Sequence, residues 1–271
     1  MTSSPDSPGD QPRVLTSRDW HILSICLNRP AKRNAWDYEL LCGLADAYTL
    51  LDDDADLRVG LVHAAGQDFT AGVDLNYFAG QWSLGRNPFA FEDGRIDPLG
   101  LTGRPRRKPV VVAVHGRCWT VGLEMLLAAD VRVAASNTDF AQLEVLRGIY
   151  PGGGATIRLV QEIGWGNAMR WLLTGDGFGA DEALRLGLVQ SVVDLDQLMP
   201  VATGIATRIA EAAPLGVQAI RESARLSVEA GFEAAAGRLF PELVRLFTTT
   251  ADGAEGYASF QERRRATFSG R

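Results

Sequence analysis

Apolar residues at every second position, Leu23, Ile25 and Leu27, predict a strand that runs into a turn at Asn28-Arg29-Pro30. After Asp37 the period changes. Leu40, Leu41, Leu44, Tyr48 and Leu51 share one face of a 3.6-residue repeat, so a helix is expected with Asp37 as its cap. Residues 57–63 read as the next strand, ending in a turn-like stretch at 64–68. Residues 76–108 fit neither period. Gly80, Gly85, Pro88, Gly94, Pro98, Gly103 and Pro105 predict a long irregular loop there, of a kind that is often functional or mobile. Val110 to Val114 is a continuous apolar run, the pattern of a strand covered on both faces. It leads past Gly116 into a helix expected at about 121–129, and 131–134 returns as a strand.

The second half reads as mostly helical. A short helix begins at Asp181 and ends at Gly187, with extended pieces at Leu188-Val189 and Val192-Val193. Helices are expected at 195–212, 215–230 and 252–264, with Pro214 and Gly231 as boundaries. Pro241 is expected to interrupt a further helical pattern between Phe232 and Phe247. Strands mixed with helices, followed by helices alone, predict an α/β core with a C-terminal helical region.

Composition narrows the class. The chain has 271 residues, 46% hydrophobic and 22% charged, enough for one large globular domain or two small ones. The net charge of −6 argues against a general nucleic-acid binder. Cys26, Cys42 and Cys118 are odd in number and show no C-x-x-C spacing. No disulfide framework or zinc site is expected, and a reducing cytoplasm fits best. His21, His63 and His115 are scattered and form no metal-ligand pair. No stretch approaches the ~20 apolar residues that span a bilayer. Residues 1–12, rich in Ser, Pro, Asp and Gly, lack the pattern of a signal peptide and read as a disordered tail.

Three segments carry candidate chemistry. Phe69-Thr70-Ala71-Gly72-Val73-Asp74-Leu75 has small residues that let a ligand approach the backbone. The second runs from Val114 to Glu124 and joins a buried strand to a helix start, where unpaired N–H groups and the dipole favour negative charge. The third, from Glu144 to Gly154, sets a carboxylate before a glycine-rich turn into a helix. Glu124 stands out among Leu123, Met125, Leu126 and Leu127. A carboxylate buried there is costly, so it is either functional, a structural cap partner, or on an exposed stripe. Cys118 and His115 read as packing residues. Arg104, Arg106, Arg107 and Lys108 read as a solvated loop end. No early G-x-G-x-x-G is present, which excludes a dinucleotide-binding dehydrogenase.

In order, the segments resemble the crotonase, or enoyl-CoA hydratase/isomerase, superfamily from about Leu27 to Phe268. The other matching pieces are Leu27 to Ala35, Ala128 to Ala134, Thr174-Gly175-Asp176 with Glu182 to Val189, and Glu255-Gly256 with Phe260 to Arg264. The resemblance implies a ββα spiral core over 13–200 and a C-terminal helical trimerisation region over 201–271. A homotrimer or dimer of trimers would follow. It also implies an oxyanion hole from the backbone N–H groups of Val73 and Val121, which holds the thioester carbonyl of an acyl-CoA. Glu124 would activate a water and Glu144 would exchange the proton at C2. Retention of both glutamates favours hydration of a 2-enoyl-CoA over double-bond isomerisation, and over a silent CoA-thioester or RNA-binding scaffold. CoA would arrive as part of the substrate, with no metal or redox cofactor. Lys32 and Arg33 would meet CoA phosphates, or else form a solvated turn. The Ala71 carbonyl would face adenine, with Gly72, Asp74 and Leu75 as further substrate-binding residues. Arg264 would reach CoA on a neighbouring subunit, or else end an exposed helix. Thr120 and Val121 stand where the family commonly has glycine, and Trp119 is bulky, so the acyl pocket is expected to be unusual.

Overall fold

The computed structural model describes residues 11–91 and 93–271, so the expected 1–12 tail lies outside the described residues except for Gln11 and Pro12. The first half is built from β1 (Val14–Asp19), β2 (Ile22–Leu27), α1 (Tyr38–Asp53), β3 (Val59–Ala64), α2 (Leu75–Trp82), β4 (Val110–Val114), β5 (Arg117–Trp119), α3 (Val121–Ala128) and β6 (Val131–Ala135). There follow β7 (Asp139–Ala141), a 3-10 turn at Glu144–Arg147, α4 (Ala155–Ile163), α5 (Trp165–Thr174), β8 (Gly177–Gly179), α6 (Ala180–Arg185) and β9 (Ser191–Val193). Helices α7 (Leu198–Glu211), α8 (Pro214–Ala230), α9 (Phe232–Thr249) and α10 (Ala251–Glu262) complete the chain.

Six strands form one sheet in the order β1-β2-β3-β4-β6-β9, parallel except for the antiparallel β1–β2 pair. The valine run of β4 lies near its middle and is fully buried. Alternation along that strand divides the core. Val110, Val112 and Val114 pack with Leu40, Leu44 and Leu51 of α1 and with α3. Val111 and Ala113 face the other way, onto Leu198, Ala202, Ala206 and Ala210, which recur every fourth residue on α7. A second sheet, β5-β7-β8, stands at the C-terminal ends of these strands and carries the chain from β4 into α3. The boundary expected at 200/201 falls inside α7.

The expected helix after Asp37 is α1, and the Asp37 carboxylate accepts from Leu40 N (2.9 Å) as its cap. Several expectations are corrected. The stretch 76–108 is not wholly irregular, because α2 occupies its start. Phe78 anchors that helix, fully buried against Trp82 and Phe89. Strand β1 was unforeseen because all but Val14 of its residues are exposed, which erases the alternation. Leu188 and Val189 are buried but lie in a turn, and β9 begins at Ser191. Helix α9 continues through Pro241, which removes one N–H donor without ending it. The basic run 104–108 is not simply solvated. Arg106 and Lys108 are buried, and Asp52 and Asp130 bind the run into the core.

Candidate active site

A cavity of about 930 Å3 opens where the 71–75 segment, helices α2 and α3, and the Glu144–Arg147 turn converge. Val73, Val121, Glu124 and Glu144 all line it, as do Arg33, Ala71 and Leu75. Of the other residues expected at the site, Gly72, Asp74, Lys32 and Arg264 do not.

The Phe69–Leu75 segment is held by its backbone. Thr70 N donates to Arg117 O (2.9 Å) and Trp36 N to Gly72 O (2.8 Å). Gly72 has φ 108°, and a Cβ there would collide with Thr120 Oγ1, so the position requires glycine. The Asp74 carboxylate pairs with Arg29 (3.0 Å) rather than facing the cavity. This leaves the N–H of Val73 without a protein acceptor among the described residues. Across the cavity, Thr120 N donates to Ala141 O (2.8 Å), which fixes the entry to α3. Val121 is the first residue of that helix, so its N–H has no acceptor within the helix. Two donors on separate, anchored segments therefore border one cavity.

Glu124 is 3% exposed. Its Oε1 accepts from Gly153 N (2.7 Å) and Ala155 N (3.2 Å), at the turn that starts α4. A Cβ at Gly153 would collide with Oε2, so the glycine-rich turn is what lets the backbone reach the carboxylate. Burial pushes the Glu124 carboxyl up, opposed by the N–H groups of Ala155 and Gly153 and by the charge of Arg158.

Glu144 opens the 3-10 turn and is half-buried. Burial pushes its carboxyl up to about 7, and the negative charge of Glu124 adds to the shift. The buried Gln142 amide sits beside it. With its nitrogen turned inward, it donates to Glu144 Oε2 (2.9 Å) and Oε1 (3.1 Å). An amide serves either protonation state, since its oxygen accepts from the neutral acid. The two environments separate the carboxyls. Glu124, with two N–H donors, is the better anion, and Glu144 holds a proton near neutrality.

Arg33 and Ala71 are joined by Ala71 N donating to Arg33 O (2.9 Å), which sets both at one end of the cavity wall. Lys32 is exposed in the adjoining turn. Arg264 is ion-paired to Glu255 (2.6 Å) and Glu262 (2.5 Å) beyond the end of α10. Cys118 is fully buried, its thiol pushed well up by burial, which suits packing rather than nucleophilic attack. His115 is buried with Nε2 3.0 Å from Gly66 O, a structural contact. Gln142, Arg158 and the N–H groups of Gly153 and Ala155 were missed from the sequence. The glycine run after Glu144 was the one available signal for the last two. Among the described residues, no cluster of His, Cys, Asp and Glu is arranged to hold a metal ion, and no helix is long and apolar enough to cross a membrane.

Known proteins are similar to this chain over nearly its whole length. A profile described as enoyl-CoA hydratase/isomerase matches residues 18–271. The crystal structure of a probable enoyl-CoA hydratase/isomerase from Mycobacterium abscessus superposes with a TM-score of 0.93 at 46% identity, covering 97% of this chain and 100% of that one. Enoyl-CoA hydratase EchA19 of Mycobacterium tuberculosis is 36% identical, with 96% of this chain and 97% of that protein aligned. The 2,3-dehydroadipyl-CoA hydratase of Escherichia coli is 31% identical, over 95% of this chain and 99% of that protein. With its α/β spiral core, helical C-terminal region and near-complete alignment, the chain belongs to the enoyl-CoA hydratase/isomerase family, the crotonase fold.

Proposed function

We propose that this protein is an enoyl-CoA hydratase that adds water reversibly to a 2-enoyl-CoA thioester, giving a 3-hydroxyacyl-CoA. The observation that carries the reading is the pair of glutamates lining one cavity, Glu124 held by two backbone N–H donors and Glu144 pushed up to about 7 by burial. The N–H groups of Val73 and Val121 hold the thioester oxygen as it gains charge in the enolate. Ionised Glu124 takes a proton from the attacking water, which bonds to C3. Glu144 delivers its proton to C2. Hydration needs one acid and one base, and the N–H donors on Glu124 suit it to the base while burial of Glu144 suits it to the acid.

The rest of the cavity suits a CoA thioester. Arg33, Arg86 and Arg147 line it, and none has a carboxylate partner among the described residues. Arg33 and Lys32 meet CoA phosphates, and Ala71 offers its carbonyl to the adenine. CoA enters as part of the substrate, and the chemistry asks for no separate cofactor or metal. Gly72 and Asp74 support binding indirectly, by fixing the segment that carries Val73. We assign the assembly as a homotrimer or dimer of trimers formed by α8, α9 and α10, with Arg264 reaching CoA held by a neighbouring subunit. Net charge, free cysteines and composition support a cytoplasmic site of action.

The test is a panel of short, long, dicarboxylic and aromatic enoyl-CoAs, followed by loss of the conjugated thioester absorbance. Wild type should turn over at least one of them, and Glu124→Gln and Glu144→Gln should each fall by roughly 10²–10⁴-fold, the usual range for a general acid or base. An isomerase would keep most of its rate after loss of one glutamate. A silent binding protein would bind the panel with no turnover.

A further inference from the structure

Arg158 lies on the first turns of α4, directly behind the segment that grips Glu124. Its own N–H donates to Gly154 O (2.9 Å), and its Nη2 donates to Gly100 O (3.1 Å). Nη1 is packed against Gly154, at 2.9 Å from where a Cβ of that residue would stand. Gly154 lies between the two residues whose N–H groups bind the Glu124 carboxylate. Nη1 is buried and has no acceptor among the described residues, and no carboxylate stands within ion-pair distance of the guanidinium. A half-buried arginine with no carboxylate in direct contact is costly, and the negative charges that act on it are Asp97 and then Glu124.

We propose that Arg158 is a positioning residue for Glu124: its guanidinium, seated behind the 152–155 turn, holds the carboxylate in the ionised form that accepts the proton of water. The proposal rests on the hydratase reading, with Glu124 as the base. The other charged groups around Glu124 do not take over this role. Glu144, across the cavity, opposes ionisation of Glu124. Asp97 is occupied by the N–H groups of Leu99, Leu101 and Thr102 (2.8–3.1 Å). Arg132, on β6, is already paired to Glu162 (3.0 Å). Among the described residues, Arg158 is the cation that packs an uncommitted donor against this turn. The charge of Arg158 also lowers the Glu124 carboxyl, against the rise that burial imposes. Nη2 on Gly100 O holds the charge in place.

The test is the pH profile of kcat/KM for wild type, Arg158→Gln, Arg158→Lys and Glu124→Gln. Wild type should give a bell, with macroscopic limbs that belong to the glutamate pair. Arg158→Gln should move the acid limb up by about one unit, a roughly tenfold loss below it, with recovery at higher pH and the alkaline limb in place. Arg158→Lys keeps the charge and should keep both the acid limb and most of the rate. A loss that is uniform across pH, with both limbs unmoved, would mean that Arg158 only supports the fold, and would overturn the proposal. If Arg158→Gln does not fold, Arg158→Lys decides: an unmoved limb with rate retained supports the proposal, and a uniform loss overturns it. Hydration that survives in Glu124→Gln would instead remove the reading of Glu124 as base, and the proposal with it. Abolished hydration in Glu124→Gln beside an unshifted Arg158→Gln would remove the Arg158 proposal alone.

Discussion

Thr120 enters α3 with φ 50° and ψ −116°, a conformation that a Cβ disfavours. Its Oγ1 is buried without a hydrogen-bond partner among the described residues. The backbone is held there by Thr120 N on Ala141 O, one residue before Val121, whose N–H is a proposed donor to the thioester oxygen. Strain of this kind costs about 1–3 kcal/mol. Thr120→Gly should therefore raise the melting temperature by a few degrees, partly offset by the added freedom of the unfolded chain. Calorimetry on the two proteins decides it, and a lower melting temperature for the variant would show that the threonine is not strained. At this scale the sequence was informative where a residue conflicts with its neighbours. Glu124 is conspicuous as a carboxylate inside an apolar helix. Arg158 is not, because Glu124 lies 34 residues earlier on another element, and Gln142, although two residues from Glu144, carries no local signal that its amide turns toward that carboxylate.

Helix α1 ends at Asp53 with acidic residues in its last turn, the end at which the helix dipole disfavours negative charge. The reason lies in the next strand. The Asp52 side chain is fully buried and accepts from Arg107 N (2.7 Å), Lys108 N (3.1 Å) and Arg107 Nε (3.0 Å), which ties the end of α1 to the start of β4. Asp52→Ala should cost about 1–3 kcal/mol for each buried N–H left without an acceptor. Asp52→Asn, which keeps one acceptor oxygen, should cost less. Denaturant midpoints measure both, and equal losses would place the effect in charge rather than in hydrogen bonding. Elements were legible where burial imposed a clean period, as in α1 and β4. They were hidden where they are three residues long, as in β5, β7 and β8, or where one exposed face removes the alternation, as in β1. The basic run 104–108 read as solvated because its acidic partners lie far away in sequence.

At the scale of the molecule, α8 and α9 leave apolar side chains in the open. Phe232 is 78% and Phe240 71% exposed, and Ile220, Val228, Leu243 and Phe247 join them. Large apolar side chains exposed in this number on two packed helices suit an interface, which supports the proposed trimer. Phe240→Glu should shift the sedimentation profile from the trimer or hexamer toward monomer. A wild-type protein that sediments as a monomer would sink the assembly. The general architecture could be read from strands mixed with helices and then helices alone. The order of the six strands could not, because it depends on pairings such as Val111 with Val131 and Val133 with Ser191, which no local pattern records.

The polar face of β1 has one more effect. An open sheet grows, in principle, by recruiting another strand at either margin, and such growth has no natural end. Here one margin is a strand whose outer positions are Thr16, Ser17, Arg18 and Asp19, and the other is β9, three residues long. Charged side chains and a short strand both discourage a neighbour from adding to the ladder. Copies of the chain are thereby steered away from fibrous stacking, as the proposed assembly, closed by rotational symmetry at a fixed number of subunits, requires.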